Sequence, residues 1–528
     1  MNVARAEQTL DVGARFPHDG RDAADNRAMN KLQLLDKGFL LAESRQMPMH
    51  VGGLSLYTLP DGADERQFLH DLADNLRDAR ELLPPFGQHL KTGRLGLLGN
   101  ACWEPDADLD LDYHIRHSAL PAPGRYRELF TLVSRLHGAL LDRSRPLWEM
   151  HLIEGLQNRQ FAVYSKTHHA AVDGARSIHM SRCMLSPDPA QRLEESPLSL
   201  HLWEQYKAGL KRGVPADYSQ SEMRSVSDLF RMSVNSGSHV FRAVKRFAET
   251  WAGRGHGLAL PYRQVPPSAI NTPIDGARRF VAQSWPFARI KTVAAAYGGT
   301  FNDAVLAMCA GALRTYLQRH AQLPGQSLKA MVPMSLRTAG DVDANNASIA
   351  ISADLATDVA DPAERIATIR QSVLEGKAYY AGMTRAEIEL YFLLQHSPAA
   401  VIAPLGLLPK YPPYNVVISN VPGIRETSYW NGARLDGTYP LSIVAQGIAL
   451  NITLVSYDRS VDFGIVACRR SLPRAQRMID YMEDALAELE EAAGLVPGPA
   501  PRKQRRAAPG AKGKVRRRKR APAGTAQT

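Results

Sequence analysis

His168-His169-Ala170-Ala171-Val172-Asp173-Gly174 is the stretch on which the reading of this chain turns. Two adjacent histidines, an acid five residues after the first and a glycine beside that acid make the pattern HHxxxDG. Just upstream, Gln160-Phe-Ala-Val-Tyr-Ser-Lys166 reads as a strand, and just downstream residues 175–185 continue as a helix. The histidines therefore fall where a strand ends, a common place for chemistry on an α/β scaffold.

Histidine itself sets the chemistry. An imidazole titrates near roughly pH 6.5, so at neutral pH the neutral ring accepts a proton. A hydroxyl is a poor nucleophile until its proton is removed, and a positioned base is worth about 100- to 10,000-fold. The plain alternative is that the histidines close a strand and Asp173 is only the N-cap of the next helix. Two histidines alone would favour that alternative. Four fixed positions within seven residues favour catalysis, with Asp173 serving as cap and loop brace together.

At 528 residues the chain is long enough for two domains, and a hydrophobic fraction of 45% is that of a globular protein. Cys102, Cys183, Cys309 and Cys468 are scattered and form no CxxC, which argues against a disulfide framework or a zinc site and suits a reducing cytoplasm. Residues 1–30 carry charges and prolines without an apolar core, so they are not read as a signal peptide. The longest apolar runs, such as residues 399–408, are too short to span a bilayer. Any membrane contact is expected to be peripheral.

The formal charge of +11 is concentrated in one place. Of the 64 Lys and Arg, eleven lie in residues 499–528, which hold no acid; the 53 that remain balance the 53 Asp and Glu. This tail is rich in Pro, Ala and Gly and is expected to be disordered. It suits an anionic membrane surface, at about 1 kcal/mol for each basic residue that reaches it. It also suits nonspecific binding to nucleic-acid phosphates, or plain solvation. No aromatics interleave the charges, which disfavours stacking on single strands.

Residues 1–30 read as a flexible extension. Residues 31–190 read as an α/β layered domain: a strand at 50–57, a helix at 64–83 stopped by Pro84-Pro85, a helix at 126–141, and strands at 148–153 and 161–165 leading to the histidine loop. Residues 191–270 read as a linker. Within it, 223–251 place apolar side chains at near-helical spacing among Arg224, Arg231, Arg242, Lys245 and Arg246, which suits either a membrane surface or packing between domains. Residues 271–497 read as a second α/β domain. Its helices are expected at 286–297, 301–320 and 473–493, its strands at 328–332, 349–354 and 414–419, and a hairpin at 450–457 and 461–467 around Asp458-Arg459. Residues 498–528 form the basic tail.

The histidine loop does not stand alone. Met49-His-Val-Gly-Gly-Leu54, Pro146-Leu-Trp-Glu149, Thr300-Phe-Asn-Asp303, Val332-Pro-Met-Ser-Leu-Arg337, Ser419-Asn-Val-Pro-Gly423 and Ala449-Leu-Asn-Ile-Thr453 all occur, in that order. Over residues 32–493 this set closely resembles the bacterial wax ester synthase/diacylglycerol acyltransferase family. HHxxxDG by itself is shared with a wider superfamily that includes nonribosomal peptide condensation domains and chloramphenicol acetyltransferase. The resemblance implies an α/β fold of two chloramphenicol-acetyltransferase-like (condensation-superfamily) domains with a central reaction channel. It implies acyl-CoA as donor and a long-chain alcohol or diacylglycerol as acceptor. It also implies His169 as general base, with His168 and Asp173 holding the loop.

Carried over in the same way, Gly174, Pro146, Leu147, Trp148, Asn302, Asp303, Ser419 and Asn420 are candidate substrate contacts. Each keeps a structural alternative. Thr300 and Asp303 match a capping box. Trp148 is as much core as channel wall, Ser419 and Asn420 precede a turn at Pro422-Gly423, and Asn451 fits a satisfied buried amide. The chain departs from the family pattern at Cys468-Arg469, where an Asp commonly precedes the arginine, and at Leu140-Leu141-Asp142-Arg143, which lacks a proline often seen there.

Thioester-to-hydroxyl transfer needs a base, a positioned carbonyl and a dry channel, so no metal or redox cofactor is expected. Burying an acyl chain of roughly 16 carbons yields on the order of 10 kcal/mol before association costs. The leading function is thus an O-acyltransferase making wax esters, triacylglycerol or both, in the cytoplasm and peripherally on the inner membrane or lipid inclusions. One competitor is a condensation-type enzyme with a carrier-protein donor. Another is a non-catalytic protein of lipid inclusions or nucleic acid, the latter only through the basic tail. No obligate protein partner is evident.

Overall fold

The computed structural model describes residues 32, 34–97, 99–172, 174–211, 245, 247–249, 261–335, 348–380, 383 and 385–498. The extension at 1–30, most of the amphipathic stretch at 223–251, the tail from 499 and Asp173 lie outside the described residues.

In the first half, α1 (Leu34–Ala42) precedes β1 (His50–Thr58). Helix α2 (Glu65–Arg77) starts where the Asp64 side chain accepts the Gln67 N–H at 2.9 Å, and it buries Leu69, Leu72 and Leu76 on one stripe. It stops short of the expected residue 83 because the following backbone is claimed elsewhere. Leu83 N–H donates to Leu198 O at 2.8 Å and Leu200 N–H to Glu81 O at 2.9 Å. The short strands β2 (Gln88–Lys91) and β3 (Cys102–Pro105) pair with each other in a two-stranded sheet. Then come α3 (Leu111–His114), β4 (Ile115–Ala119), α4 (Tyr126–Gly138), β5 (Trp148–Glu154), β6 (Gln160–His168), α5 (Gly174–Met184) and α6 (Leu200–Lys211).

The second half runs β7 (Arg278–Pro286), α7 (Phe287–Ala296), α8 (Phe301–Arg319), β8 (Lys329–Ser335), β9 (Ser348–Asp354), α9 (Pro362–Tyr380), α10 (Arg385–His396), α11 (Ala399–Ile402), β10 (Val416–Val421), β11 (Tyr429–Trp430), β12 (Ala433–Leu441), β13 (Leu450–Tyr457), β14 (Ser460–Cys468) and α12 (Met478–Ala492). The expected hairpin is present as β13 and β14, joined through Asp458 and Arg459. Both of its strands are buried almost throughout, the pattern of strands covered on both faces. Helix α8 is buried at every position from Asp303 to Leu313, so it is apolar all round and packs against α9 and α12.

Two six-stranded sheets organise the molecule, in the orders β11-β12-β1-β6-β5-β4 and β7-β14-β13-β10-β8-β9. The first sheet is completed by strands from the second half of the chain. Strand β12 lies antiparallel to β1, from Gly52↔Leu441 to Thr58↔Arg434. The linear division at residue 271 did not anticipate this exchange. It is reinforced where β12 crosses β14: a Cβ on Gly464 would sit 1.8 Å from Pro440 O, so the two backbones approach to a distance only glycine permits. The halves consequently share one continuous core, in which Leu54 and Val133 join Ile452 and Phe463.

Candidate active site between the two sheets

Strand β6 delivers the histidine loop. His50 pairs with His168 across β1 and β6, His168 N–H donates to Leu147 O at 2.9 Å, and His169 N–H donates to Met49 O at 2.9 Å. Ala171 N–H then closes the turn on His168 O at 2.9 Å, ahead of α5. Consecutive residues leaving a strand point to opposite sides. His168 accordingly is 0% exposed and sealed behind the loop, whereas His169 is half-buried on a cavity wall. Its ring stacks on Phe39, centroids 4.2 Å apart and planes at 18°. The Ala170 N–H donates to His168 Nδ1 at 3.1 Å, so the His168 proton resides on Nε2, which faces Glu43 Oε1 at 3.5 Å.

The cavity holds about 580 Å³ and lies between the sheets. Val51, Gly52, Ser165 and Thr167 line it from the first sheet, Gly174 and Ile178 from α5, and Ser419, Asn420, Asn451 and Thr453 from the second. Phe39, Met49, Phe86, Trp148, Met331 and Phe392 give it apolar walls. Among the described residues no helix is long and apolar enough to cross a membrane.

Of the residues singled out in the sequence, His169, Gly174, Trp148, Ser419 and Asn420 meet at this cavity. Trp148 serves the core as well: its indole N–H donates to Phe86 O at 2.9 Å and its ring stacks on His114 at 4.5 Å. Ser419 and Asn420 lie inside β10, paired in parallel with Thr453 and Leu454, and the chain turns only afterwards. The Asn420 amide oxygen is buried without a hydrogen-bond partner among the described residues. Asn451 is indeed a satisfied amide, donating to Ile443 O at 3.1 Å and accepting the Thr453 hydroxyl at 2.7 Å, and it also faces the cavity.

Other expected contacts fall elsewhere. Pro146 and Leu147 are buried beneath the loop; Leu147 packs with Leu40, Leu141 and Ala170. Asn302 and Asp303 are not among the cavity-lining residues, which corrects the expectation of substrate contact. Asp303 begins α8 in a capping box, accepting Thr300 N–H at 2.7 Å while Asp303 N–H donates to Thr300 Oγ1 at 3.3 Å. The helix start consumes that carboxylate. Cys468 is buried against Asp275, its thiol donating to Oδ1 at 3.4 Å.

Two carboxylates escaped the sequence reading. Glu149, the residue after Pro-Leu-Trp, lines the cavity and is held by Lys166 Nζ at 3.2 Å, His151 Nε2 at 3.5 Å and Arg116 Nη2 at 3.4 Å. Burial pushes its pKa up, but His151, Lys166 and Arg116 prevail and bring it to about 2. The motif alone marked its neighbourhood. Glu43 follows α1 and had no motif to mark it. Burial likewise works against its charge, yet His168, the Met49 amide and Arg143 hold its carboxyl below the ordinary carboxylate value.

Around them lies a layer of neutral imidazoles. His50 Nε2 donates to His137 O at 2.8 Å. His137 Nε2 points at Ser442 O at 3.5 Å, so its Nδ1 accepts the Tyr164 hydroxyl at 2.9 Å. Burial drives His137 down to about 3 and His50 well below the usual histidine range.

Two sheets tied by an exchanged strand, with a strand-end histidine opening onto the apolar channel between them, define the two-lobed chloramphenicol-acetyltransferase-like class of acyl-transfer fold. Solved structures of nonribosomal condensation domains share the architecture: the starter condensation domain of rhizomide synthetase superposes with a TM-score of 0.51 at 11% identity, covering 90% of this chain and 97% of that one. Closer matches fix the family. The wax ester synthase/diacylglycerol acyltransferase catalytic domain matches residues 32–305 and the WS/DGAT C-terminal domain residues 344–490, so the chain belongs to the wax ester synthase/diacylglycerol acyltransferase family. The solved wax ester synthase/diacylglycerol acyltransferase from Marinobacter aquaeolei VT8 is 41% identical with a TM-score of 0.70, covering 88% of this chain and 100% of that one. The O-acyltransferase WSD of Acinetobacter baylyi is 38% identical over 463 residues, 88% of this chain and 97% of its own. A Mycobacterium tuberculosis protein named provisionally as a diacylglycerol O-acyltransferase is 44% identical over 465 residues, 87% of this chain and 99% of its own. The protein is an O-acyltransferase.

Proposed function

We propose that the protein transfers a long-chain acyl group from acyl-CoA to the hydroxyl of a fatty alcohol or diacylglycerol, with His169 as general base. A ring nitrogen of His169 takes the hydroxyl proton as the oxygen attacks the thioester carbonyl. The tetrahedral intermediate then collapses, the C–S bond breaks, and the CoA thiolate leaves and recovers the proton from the imidazolium. The observation that carries this reading is the division of labour in the pair: His169 faces the cavity, and His168 is sealed away from it.

The test is CoA release from palmitoyl-CoA with hexadecanol or diacylglycerol. His169→Ala is expected to cost about 100- to 10,000-fold, the usual worth of a positioned base. A rate equal to wild type removes His169 from the mechanism. Activity with acyl-carrier protein but not with free acyl-CoA reassigns the donor.

The same proposal places the enzyme in the cytoplasm, peripherally on the inner membrane or lipid inclusions, where such substrates reside. The basic tail supports this location by its charge. Binding to anionic vesicles is expected to fall on deleting residues 499–528 and on raising salt, and salt-insensitive binding defeats the electrostatic account. Nucleic acid in place of vesicles tests the tail's other polyanionic target.

A further inference from the structure

The last turn of α1 and the residue after it touch the histidine loop and the neighbouring Arg143. Phe39 lies flat on the His169 ring at 4.2 Å. Leu40 O accepts Arg143 Nη2 at 2.6 Å. Glu43, its side chain 4% exposed, spreads its two oxygens between different partners. Oε2 accepts both Arg143 Nε at 3.1 Å and Nη2 at 3.0 Å, two charge-assisted donors on one oxygen that anchor this end of the carboxylate. Oε1 accepts Met49 N–H at 3.2 Å and faces His168 Nε2 at 3.5 Å.

Both partners of Oε1 lead to His169. Met49 receives the Glu43 carboxylate on its N–H and the His169 N–H on its C=O, the latter at 2.9 Å. His168 is the preceding residue, and its Nδ1 is already committed to Ala170 N–H, so its one ring proton is on Nε2, the nitrogen that lies 3.5 Å from Glu43 Oε1. His168 Nε2 is buried with no hydrogen bond of ordinary geometry among the described residues, and Glu43 Oε1 at 3.5 Å is the acceptor it faces. A carboxylate accepts only, so it suits an Nε2–H imidazole; with the proton on Nδ1 instead, ring and Ala170 amide would confront each other as two donors.

We infer that Glu43 is a positioning residue of this active site: its carboxylate faces and orients the Nε2–H imidazole of His168 and holds Met49 in register, and thereby fixes the backbone that presents His169 to the cavity. The inference rests on the reading of His169 as the base. It assigns Glu43 no contact with substrate and no proton transfer. Second-layer carboxylates that orient an imidazole are worth tens of fold in rate elsewhere, through the tautomer and angle they impose.

The experiment compares Glu43→Gln, His169→Ala and the wild-type full chain. Glu43→Gln is expected to lower kcat by about 10- to 100-fold while KM for palmitoyl-CoA stays within about two-fold. The ¹⁵N spectrum of the histidine rings, with His168 assigned by its loss in His168→Asn, is expected to show the Nε2–H form in wild type, with the Nε2 resonance displaced in Glu43→Gln as the carboxylate it faces is lost. Wild-type kcat in Glu43→Gln, or a lowered melting temperature without a change in kcat, overturns the inference by reducing Glu43 to a structural brace. So does a wild-type His168 protonated on Nδ1, a measurement that stands even where the variant fails to fold. The two readings separate cleanly. Full activity in His169→Ala defeats the base assignment, and the His168 spectrum still judges Glu43.

Discussion

The two sheets each bury a carboxylate, and they treat it in opposite ways. In the first sheet Glu149 sits on β5 among Lys166, His151 and Arg116 and is held at about 2. In the second Asp462 sits on β14, 0% exposed, where Thr438 N–H and the Ser460 hydroxyl each donate to it at 2.8 Å. Burial raises Asp462 to about 6, and donation from Ser284, Thr438 and Ser460 only moderates that rise. Desolvation acts on both groups; the difference is whether a cation answers it. The first sheet, which carries the histidine loop, keeps fixed charge at the cavity wall. The second brings amides, hydroxyls and apolar side chains to the same cavity, and its buried acid faces hydroxyls and an amide.

The comparison breaks most readily at Glu149. Glu149→Gln leaves Lys166, 1% exposed, facing an amide where it had a carboxylate. Removing one partner of a buried ion pair costs about 3–5 kcal/mol, so denaturant unfolding of this variant is expected to show a loss of that order. Lys166 also donates to Leu136 O at 3.2 Å and Ala139 O at 3.1 Å, which places the loss toward the lower end if those carbonyls carry the ammonium alone. A variant within about 0.5 kcal/mol of wild type would mean that the charge at this wall is not structural. The sign with pH follows from the depressed value. Glu149 contributes stability above pH 4.5, and the contribution is lost as pH falls toward about 2.

How far the sequence reveals this architecture depends on the range of each interaction. The hairpin of β13 and β14 is written locally, in two apolar runs around Asp458-Arg459, and it forms as read. The capping box of Thr300 and Asp303 is equally local; the motif read there as a substrate contact is spent on starting a helix. The pair His168-His169 announces chemistry, and strand geometry requires the two rings to diverge. Only the tertiary fold shows which ring meets the cavity. Strand β12 alternates as a strand should, yet nothing in residues 433–441 names β1, far back in the chain, as its partner. Glu43 is the extreme case. Its partners Met49, Arg143 and His168 lie in three separate segments, and an acid in Ala42-Glu43-Ser44 reads as ordinary surface.

Asp462 supplies the smaller and sharper test. Its folded value of about 6 exceeds the ordinary 3.8, so the folded state binds its proton more tightly than the unfolded chain does. Its contribution is therefore fully present below pH 3.8 and is lost as pH rises through about 6, the reverse of Glu149. Asp462→Asn retains an acceptor for Thr438 N–H and cannot ionise. At pH 4 the variant is expected to lie within about 1 kcal/mol of wild type, since a neutral acid is exchanged for a neutral amide. At pH 7 it is expected to be more stable by roughly 2 kcal/mol, because the net elevation from 3.8 to about 6 corresponds to nearly 3 kcal/mol of ionisation cost, against which the loss of the native side chain's better hydrogen bonding is set. The informative quantity is the difference between the two proteins from pH 4 to pH 7, in which groups common to both cancel. A flat difference shows that Asp462 is ionised throughout, and the contrast between the two sheets then fails at its second member.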